Sequence, residues 1–502
     1  MIFRKIIKKH FKNALPLWFT TLLSAFLLIG CGGSSDSDVG YIQLYNASAN
    51  APSLYLTIDQ YADEDYDAKT YLSVPFTKTG GRIEYATDTY DIELAWQDQY
   101  NDKFDLEPIY EQPIQISKDI NKFIVVAEDI KAPEIMIYDI PVRDDDEKSD
   151  DSDDEVFNIR FLNLHPSAET VNIYISQSDE TFNEAQLISQ SNYTNLSDNQ
   201  KIEQGDYIVY ITSTATNEIL FQSSEISFPY SAEYIMIIRE NTGAGTSPFI
   251  IDKVSTSTAT EYADSNAEAE FRVYNAVIEH ELLPAYQSSF DLYLDGVDET
   301  PEISSLAFGQ FSETIRLDSG DYAMTLMTTD SNEEIIKNHL LALNENSDKT
   351  IFFYLLEQDV DADGDGDVDE NDDGIVDEIE ITINSLVVNN SQSESIYDHQ
   401  FQVINLIDND DFTSYQVYFV RNDETIETAE QSLPALYATP RSIYLLNNTY
   451  NVYVIGREDS SDIILASTEL VLNEESKDQF MILETDINSP TGYKITLSAQ
   501  NN

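Results

Sequence analysis

The sequence predicts an all-β protein built from four tandem immunoglobulin-like β-sandwich modules. Three observations carry that prediction. Strand-forming aromatics are abundant, with 31 Tyr and 23 Phe among 502 residues, and helical periodicity is scarce. One short strand pattern occurs four times, as IQLYN (Ile42–Asn46), IRFLN (Ile159–Asn163), FRVYN (Phe271–Asn275) and FQVIN (Phe401–Asn405), with the closing asparagines 117, 112 and 130 residues apart. Turn residues then divide each copy into several short strands over about 100 residues, the usual size of a sandwich.

Composition sets the outer limits. Apolar residues make up 42% of the chain, enough for packed cores. The formal charge of −65 repels DNA, RNA and anionic lipid headgroups and argues against nucleic acid as a partner. Most of this acid reads as a solvated surface. The single cysteine, Cys31, permits no intramolecular disulfide and no cysteine-based metal site.

Along the chain, residues 1–30 come first. A basic start (Arg4, Lys5, Lys8, Lys9, Lys12) precedes the apolar run Ala14–Gly30, and Leu28-Ile29-Gly30-Cys31 follows. This resembles a bacterial lipoprotein signal peptide. The resemblance implies cleavage before Cys31, acyl chains such as palmitate on Cys31, and attachment to a membrane through that lipid. The alternative is an uncleaved span, for which this run with Pro16 near its start is short. Gly32 after the cysteine implies, by the sorting pattern of such lipoproteins, the outer membrane, at its periplasmic face or at the cell surface. Residues 31–39 then read as a tether.

The modules follow at 40–141, 157–256, 269–388 and 398–499. Each has a second strand centred on a tyrosine: Tyr55, Tyr174, Tyr293 and Tyr418. Their sequence neighbours are apolar and face the core, so these tyrosines point outward. They are either cross-strand partners or a surface for sugars or proteins. Each module then has a turn residue, one residue and a tyrosine, at Tyr90, Tyr207, Tyr322 and Tyr450. That spacing resembles the tyrosine corner of Greek-key sandwiches, whose hydroxyl bonds back to nearby backbone. A hairpin closes each module. Between modules, 142–156 and 257–268 read as linkers. The first contains Asp144–Glu155, with nine acids and one lysine, and its like charges should stretch it and loosen the angle between modules one and two.

The stretch YNASANAPSLYLTID (Tyr45–Asp59) is similar to the opening of the bacterial domain of unknown function 4397 family, and FDLYLDG (Phe290–Gly296) and GDYAMTL (Gly320–Leu326) resemble its next strands. Modules two and four lack its Ala-Pro. The resemblance implies extracytoplasmic sandwich repeats and assigns no chemistry.

In the third module the closing hairpin is interrupted by DVDADGDGDVDENDDGIVDE (Asp359–Glu378), with eleven carboxylates, where its sisters have five to seven residues. Calcium needs six to eight oxygens on a sharply turning loop. One frame offers Asp361, Asp363, Asp365, the Asp367 carbonyl, Asp369 and Asp372, with Gly366 at the turn. A second offers Asp369, Asn371, Asp373, the Ile375 carbonyl, Asp377 and Glu380, with Gly374 at the turn. A rival frame from Asp359 also meets the ligand positions but puts Gly366 where an apolar residue belongs. Asp144–Glu155 is comparably acidic yet has neither glycine nor periodic spacing. The flanks are strands, so a helix–loop–helix sensor is not expected. The staggered frames resemble thrombospondin type-3 calcium repeats, which implies a structural Ca2+ site. The other reading is a solvated acidic hairpin over 359–380.

No zincin run, nucleophile elbow or phosphate-cradling loop occurs, and the four histidines after residue 31 fall singly. The expectation is a non-enzymatic, lipid-anchored envelope protein for binding, adhesion or scaffolding, with a glycan or an envelope protein as possible partner. The alternative is an enzyme, or a carbohydrate-binding accessory, acting on polysaccharide.

Overall fold

The computed structural model describes residues 38–60, 67–97, 105–142, 156–297, 300–360, 379–408, 411–458 and 461–500. Among these residues the first module has eight strands: β1 (Val39–Asn46), β2 (Leu54–Gln60), β3 (Lys69–Val74), β4 (Ile83–Ala86), β5 (Thr89–Gln97), β6 (Leu106–Gln115), β7 (Ile120–Ala127) and β8 (Glu134–Pro141). They form two facing sheets of order β4-β1-β7-β8 and β3-β2-β5-β6. β1 runs parallel to β7, and the other pairings are antiparallel. The same order recurs in the other three repeats. The sandwich fold read from the sequence is therefore the observed one, with a parallel pair at the centre of one sheet.

Alternation builds each core. In β2, Leu54, Leu56 and Ile58 are buried and the residues between them are half-exposed. With Ile92 and Leu94 of the neighbouring β5 they meet Ile42, Leu44, Ile124 and Val126 from the facing sheet. Each such side chain removed from water contributes about 1.5–3 kcal/mol. The other repeats have separate cores of the same kind, centred on Phe161, Phe353 and Phe419.

Two repeated side chains fix the corners. The hydroxyls of Tyr90, Tyr207, Tyr322 and Tyr450 donate to the carbonyls of Ala86, Glu203, Asp318 and Leu446, at 3.1, 2.7, 2.7 and 2.9 Å. All four are tyrosine corners, as the spacing predicts. The asparagines closing the first strands are buried. In each, Oδ1 accepts from the amide two residues on, at Ser48, His165, Val277 and Ile407. Each Nδ2 donates to a carbonyl, of Val74, Ala168, Leu306 and Ala435. A short amide side chain thus closes a turn and ties it to neighbouring chain. No role for these asparagines was legible from their repetition alone.

The second module departs from the pattern. Residues 257–268, expected as a linker, contribute a strand, Ala259–Tyr262, that pairs with Phe249–Val254. Backbone donors and acceptors left open at that sheet edge are satisfied this way.

The larger departure is that the modules are not separate beads. β1 and β7 are buried on both faces. Ile42 and Leu44 enter the first core, while Tyr45, Phe123 and Val125 point the other way. They pack with Ile140 against Leu162, Leu164, Ile235, Ile237 and Val254 of the second module. At this face the Tyr45 hydroxyl donates to Asp252 Oδ2 (2.5 Å), Arg239 Nε donates to the same oxygen (2.6 Å), and Arg239 also pairs with Glu261. Burial opposes the Arg239 charge, but Asp252, Tyr45 and Glu261 together hold the guanidinium above its usual range. Burial and the Asp252 carboxylate push the Tyr45 phenol up, so it stays a donor.

The expectation that Asp144–Glu155 loosens this junction is therefore corrected. The acidic stretch lies outside the described residues, but the modules on either side of it share a buried apolar face and a buried ion pair. Exposed like charges are screened over about 8 Å at physiological salt and do not outweigh that burial.

The third and fourth modules repeat the arrangement. Tyr274, Phe352 and Val388 pack on Ile404, Phe480 and Ile482, and the Tyr274 hydroxyl donates to Glu484 (2.7 Å). Tyr45 and Tyr274 hold the same place in their repeats, as do Leu162 and Ile404. The structural unit is thus a locked pair of modules that occurs twice. Asn241 and Asn346 exchange amide hydrogen bonds between modules two and three. From the segment leading into module four, Tyr397 stacks on Trp96 of module one at 4.6 Å and Ile396 N donates to the Asn50 carbonyl.

Candidate functional site

Two regions are candidate sites, the acidic hairpin of module three and a cleft between modules one and two. The hairpin's arms are Asp348–Asp359 and Ile379–Asn389, paired without interruption up to Asp359 opposite Ile379. The acidic stretch therefore connects two paired strands inside one module and is no interdomain linker. Asp361, Asp363, Asp365, Asp367, Asp369, Asn371, Asp372, Asp373, Ile375 and Asp377 lie outside the described residues, as does Cys31. Glu380 is described. It sits exposed in the second arm, opposite Gln358. Among the described residues no cluster of three or more His, Cys, Asp or Glu is placed to hold a metal. None of their helices is long and apolar enough to cross a membrane.

The single histidines have structural partners. His165 Nε2 meets the Pro248 carbonyl and His399 Nε2 meets Asn447 Oδ1, both buried, while His339 Nε2 meets Ser385 Oγ. The four outward tyrosines Tyr55, Tyr174, Tyr293 and Tyr418 are half-buried on the outer faces of their sheets. Tyr174 lies opposite Tyr210 and Tyr418 opposite Tyr453. Those pairings match the cross-strand alternative.

The cleft was not legible from the sequence, because its walls come from both modules. It has a volume of about 300 Å3. Alternation explains its lining. In β1, Ile42 and Leu44 enter the core, so Gln43 faces the junction. In the strand Val156–Asn163, Phe157, Ile159 and Phe161 enter the core, so Asn158 and Arg160 face the junction. Arg82, Asn121, Asn199, Lys201 and Glu233 add to the polar lining. Three cations thus meet one carboxylate on the walls of a chain whose net charge is −65.

The hydrogen bonds leave capacity unused. Arg82 pairs with Glu233 at 2.8 Å. Gln43 Nε2 donates to the Ser255 carbonyl (2.7 Å), and Asn199 Nδ2 donates to Asn158 Oδ1 (2.7 Å). Arg160 donates from one Nη to the Ser197 carbonyl (3.2 Å) and makes no ion pair among the described residues; neither does Lys201. Burial lowers the Arg160 guanidinium from its usual range, against the pull of Glu233 and Asp198. Asn121 is 3% exposed, and its Oδ1 has no partner.

No family model matches the chain, and no curated protein matches it either. Among solved structures it is similar to the Bacillus anthracis TIE protein, at 9% identity over 90% of this chain and 75% of that one, with a TM-score of 0.15. It is similar to the major pilin subunit of Bacillus cereus, at 7% identity over 66% and 98%, with a TM-score of 0.14. A pilus adhesin from Lactobacillus rhamnosus GG matches at 9% identity over 92% and 43%, with a TM-score of 0.11. At TM-scores this low the likeness decides neither fold nor function.

Proposed function

We propose that the chain is a non-enzymatic protein of the cell envelope, held at the outer membrane by lipid on Cys31. Its four sandwiches form a stiff scaffold for binding or adhesion, and the hairpin of module three holds structural calcium. Its repeats belong with the sandwich family that Tyr45–Asp59 resembles. One observation carries this reading: the strands at the centre of each module bury both faces, one in their own core and one against a neighbouring module. An array locked in this way holds its surfaces at fixed separations, which suits presentation and binding. The lipobox-like Leu28–Cys31, seven residues before the first described residue, supplies the anchor.

Calcium is the part most open to direct measurement. Extracellular sites of this kind bind at about 10⁻⁴–10⁻³ M. Calorimetric titration of the mature chain should show that binding, and Asp365→Ala with Asp373→Ala should remove it. In hydrogen exchange, the amides paired between Gln358–Asp359 and Ile379–Glu380 should slow when calcium is added. No heat and no added protection would remove calcium from the proposal. Cleavage of a polysaccharide by the mature chain, lost when one carboxylate is changed, would overturn its non-enzymatic part.

A further inference from the structure

The lining of the cleft between modules one and two goes further than the reading above, and rests on it. We infer that this cleft is a binding site for a carboxylated sugar, a uronic acid, whose carboxylate sits between Arg160 and Lys201 and whose hydroxyls meet the surrounding amides. Four observations support it.

The charge is in the wrong place for a solvated surface. Lining residues carry three cations against one carboxylate, in a chain with 92 acids and 27 bases. Arg82 pairs with Glu233, and Arg160 and Lys201 make no ion pair among the described residues, although Glu233 and Asp198 act on Arg160 at longer range. A guanidinium presents several N–H donors in a fixed fork that fits a carboxylate, and the Ser197 carbonyl holds this one in place.

The polar groups suit hydroxyls. Gln43, Asn121, Asn158 and Asn199 line one small space, and the unpartnered Asn121 Oδ1 is a buried acceptor. Leaving such an atom unbonded is costly, and a ligand hydroxyl would satisfy it once the Asn121 amide turns toward the cleft. A volume of about 300 Å3 is at the small end of ligand pockets and takes one small molecule.

The long-range field selects the charge of the ligand. A net charge of −65 repels a polyanion or a dianion more strongly than a group with one negative charge. A monocarboxylate with hydroxyls suits the lining and is the anion that the field opposes least.

The second pair of modules supplies a contrast. Arg272 stands where Gln43 stands in the first pair. Its guanidinium donates to the Ala499 carbonyl and to Thr350 Oγ1, and lies 4.4 Å from the centre of the Phe311 ring. That side chain occupies a junction which in the first pair is lined by an amide.

The test is calorimetric titration of the mature chain with D-glucuronate, D-galacturonate, D-glucose and acetate. The expected result is binding of a uronate at millimolar concentration or below, with glucose and acetate each at least about ten-fold weaker. Lys201→Gln, at an exposed position, should weaken the uronate by about ten-fold, and Arg160→Gln by more, with melting temperature recorded to separate binding from folding. Absence of uronate binding, equal binding of glucose, or uronate affinity unchanged in both variants would overturn the inference. A third variant, with the acids of 144–155 changed to Asn and Gln, separates a foreign anion from the chain's own. Uronate binding that appears only in that variant also overturns it. None of these failures touches the scaffold reading, whereas hydrolysis of an oligouronide would contradict that reading and leave the cleft in place.

Discussion

Replacing Arg239 by leucine should destabilise the protein by about 3–5 kcal/mol, among the largest effects of any single substitution. The reason is what the change leaves behind. Asp252 is 0% exposed and depends on Arg239 Nε at 2.6 Å and on the Tyr45 hydroxyl at 2.5 Å. Without the guanidinium a buried carboxylate keeps one neutral donor. Glu261 is less affected, because its side chain is 31% exposed and water can take over. Arg239 also lies over the Phe76 ring of the first module, so its stem and charge hold both sides of the junction. The double replacement Arg239→Leu with Asp252→Leu should recover most of the loss, since no charge is then stranded. Urea unfolding of wild type, both singles and the double would measure this. A single variant within 0.5 kcal/mol of wild type, a difference typical of uncoupled surface changes, would mean that the pair does not hold the junction.

Phe480→Ala should cost a similar amount, about 3–5 kcal/mol, for a different reason. Phe480 is fully buried, yet it is not in the core of its own module. Its neighbours Met481 and Leu483 enter the fourth core, while Phe480 and Ile482 face module three. The ring meets Phe352 edge-on at 5.2 Å, and Arg272 lies 5.7 Å from its centre. Truncation leaves a cavity at the junction and leaves the core of the fourth sandwich intact. The loss should therefore appear as reduced coupling, with calorimetry resolving a transition of module four from that of module three. A single transition merely shifted downward would instead make Phe480 part of one undivided core.

Much of the fold was legible because it is local. Period-2 alternation gave the strands, repetition gave the modules, and turn residue plus Tyr gave all four corners at Tyr90, Tyr207, Tyr322 and Tyr450. The acidic stretch was legible as a hairpin insertion because sister modules showed what it replaces, and Asp359 does pair with Ile379. The pairing of modules was missed, although its signal was present. FIVVA (Phe123–Ala127), YIMII (Tyr234–Ile238) and FMIL (Phe480–Leu483) are continuous apolar runs, which belong to strands buried on both faces. Their place in closing hairpins shows which strands they pair with and not what covers their second face. Tyr45 and Tyr274 were likewise hidden, because a tyrosine among alternating apolar residues reads as the solvent side. The cleft could not be found in sequence at all. Gln43 and Ser255 are 212 residues apart, and only the packing of two modules brings them to 2.7 Å.

Modules one and two are locked face to face despite nine acids in the segment between them. With Cys31 replaced by serine the chain has no other cysteine, so spin labels can be placed cleanly at the exposed positions Asp91→Cys in module one and Glu218→Cys in module two. Pulsed electron paramagnetic resonance then reads the distance between them. A locked junction predicts one narrow distance distribution that does not move between low and high salt. A broad distribution that shifts as salt screens residues 144–155 would contradict the lock, and with it the stiff scaffold that the proposed function requires.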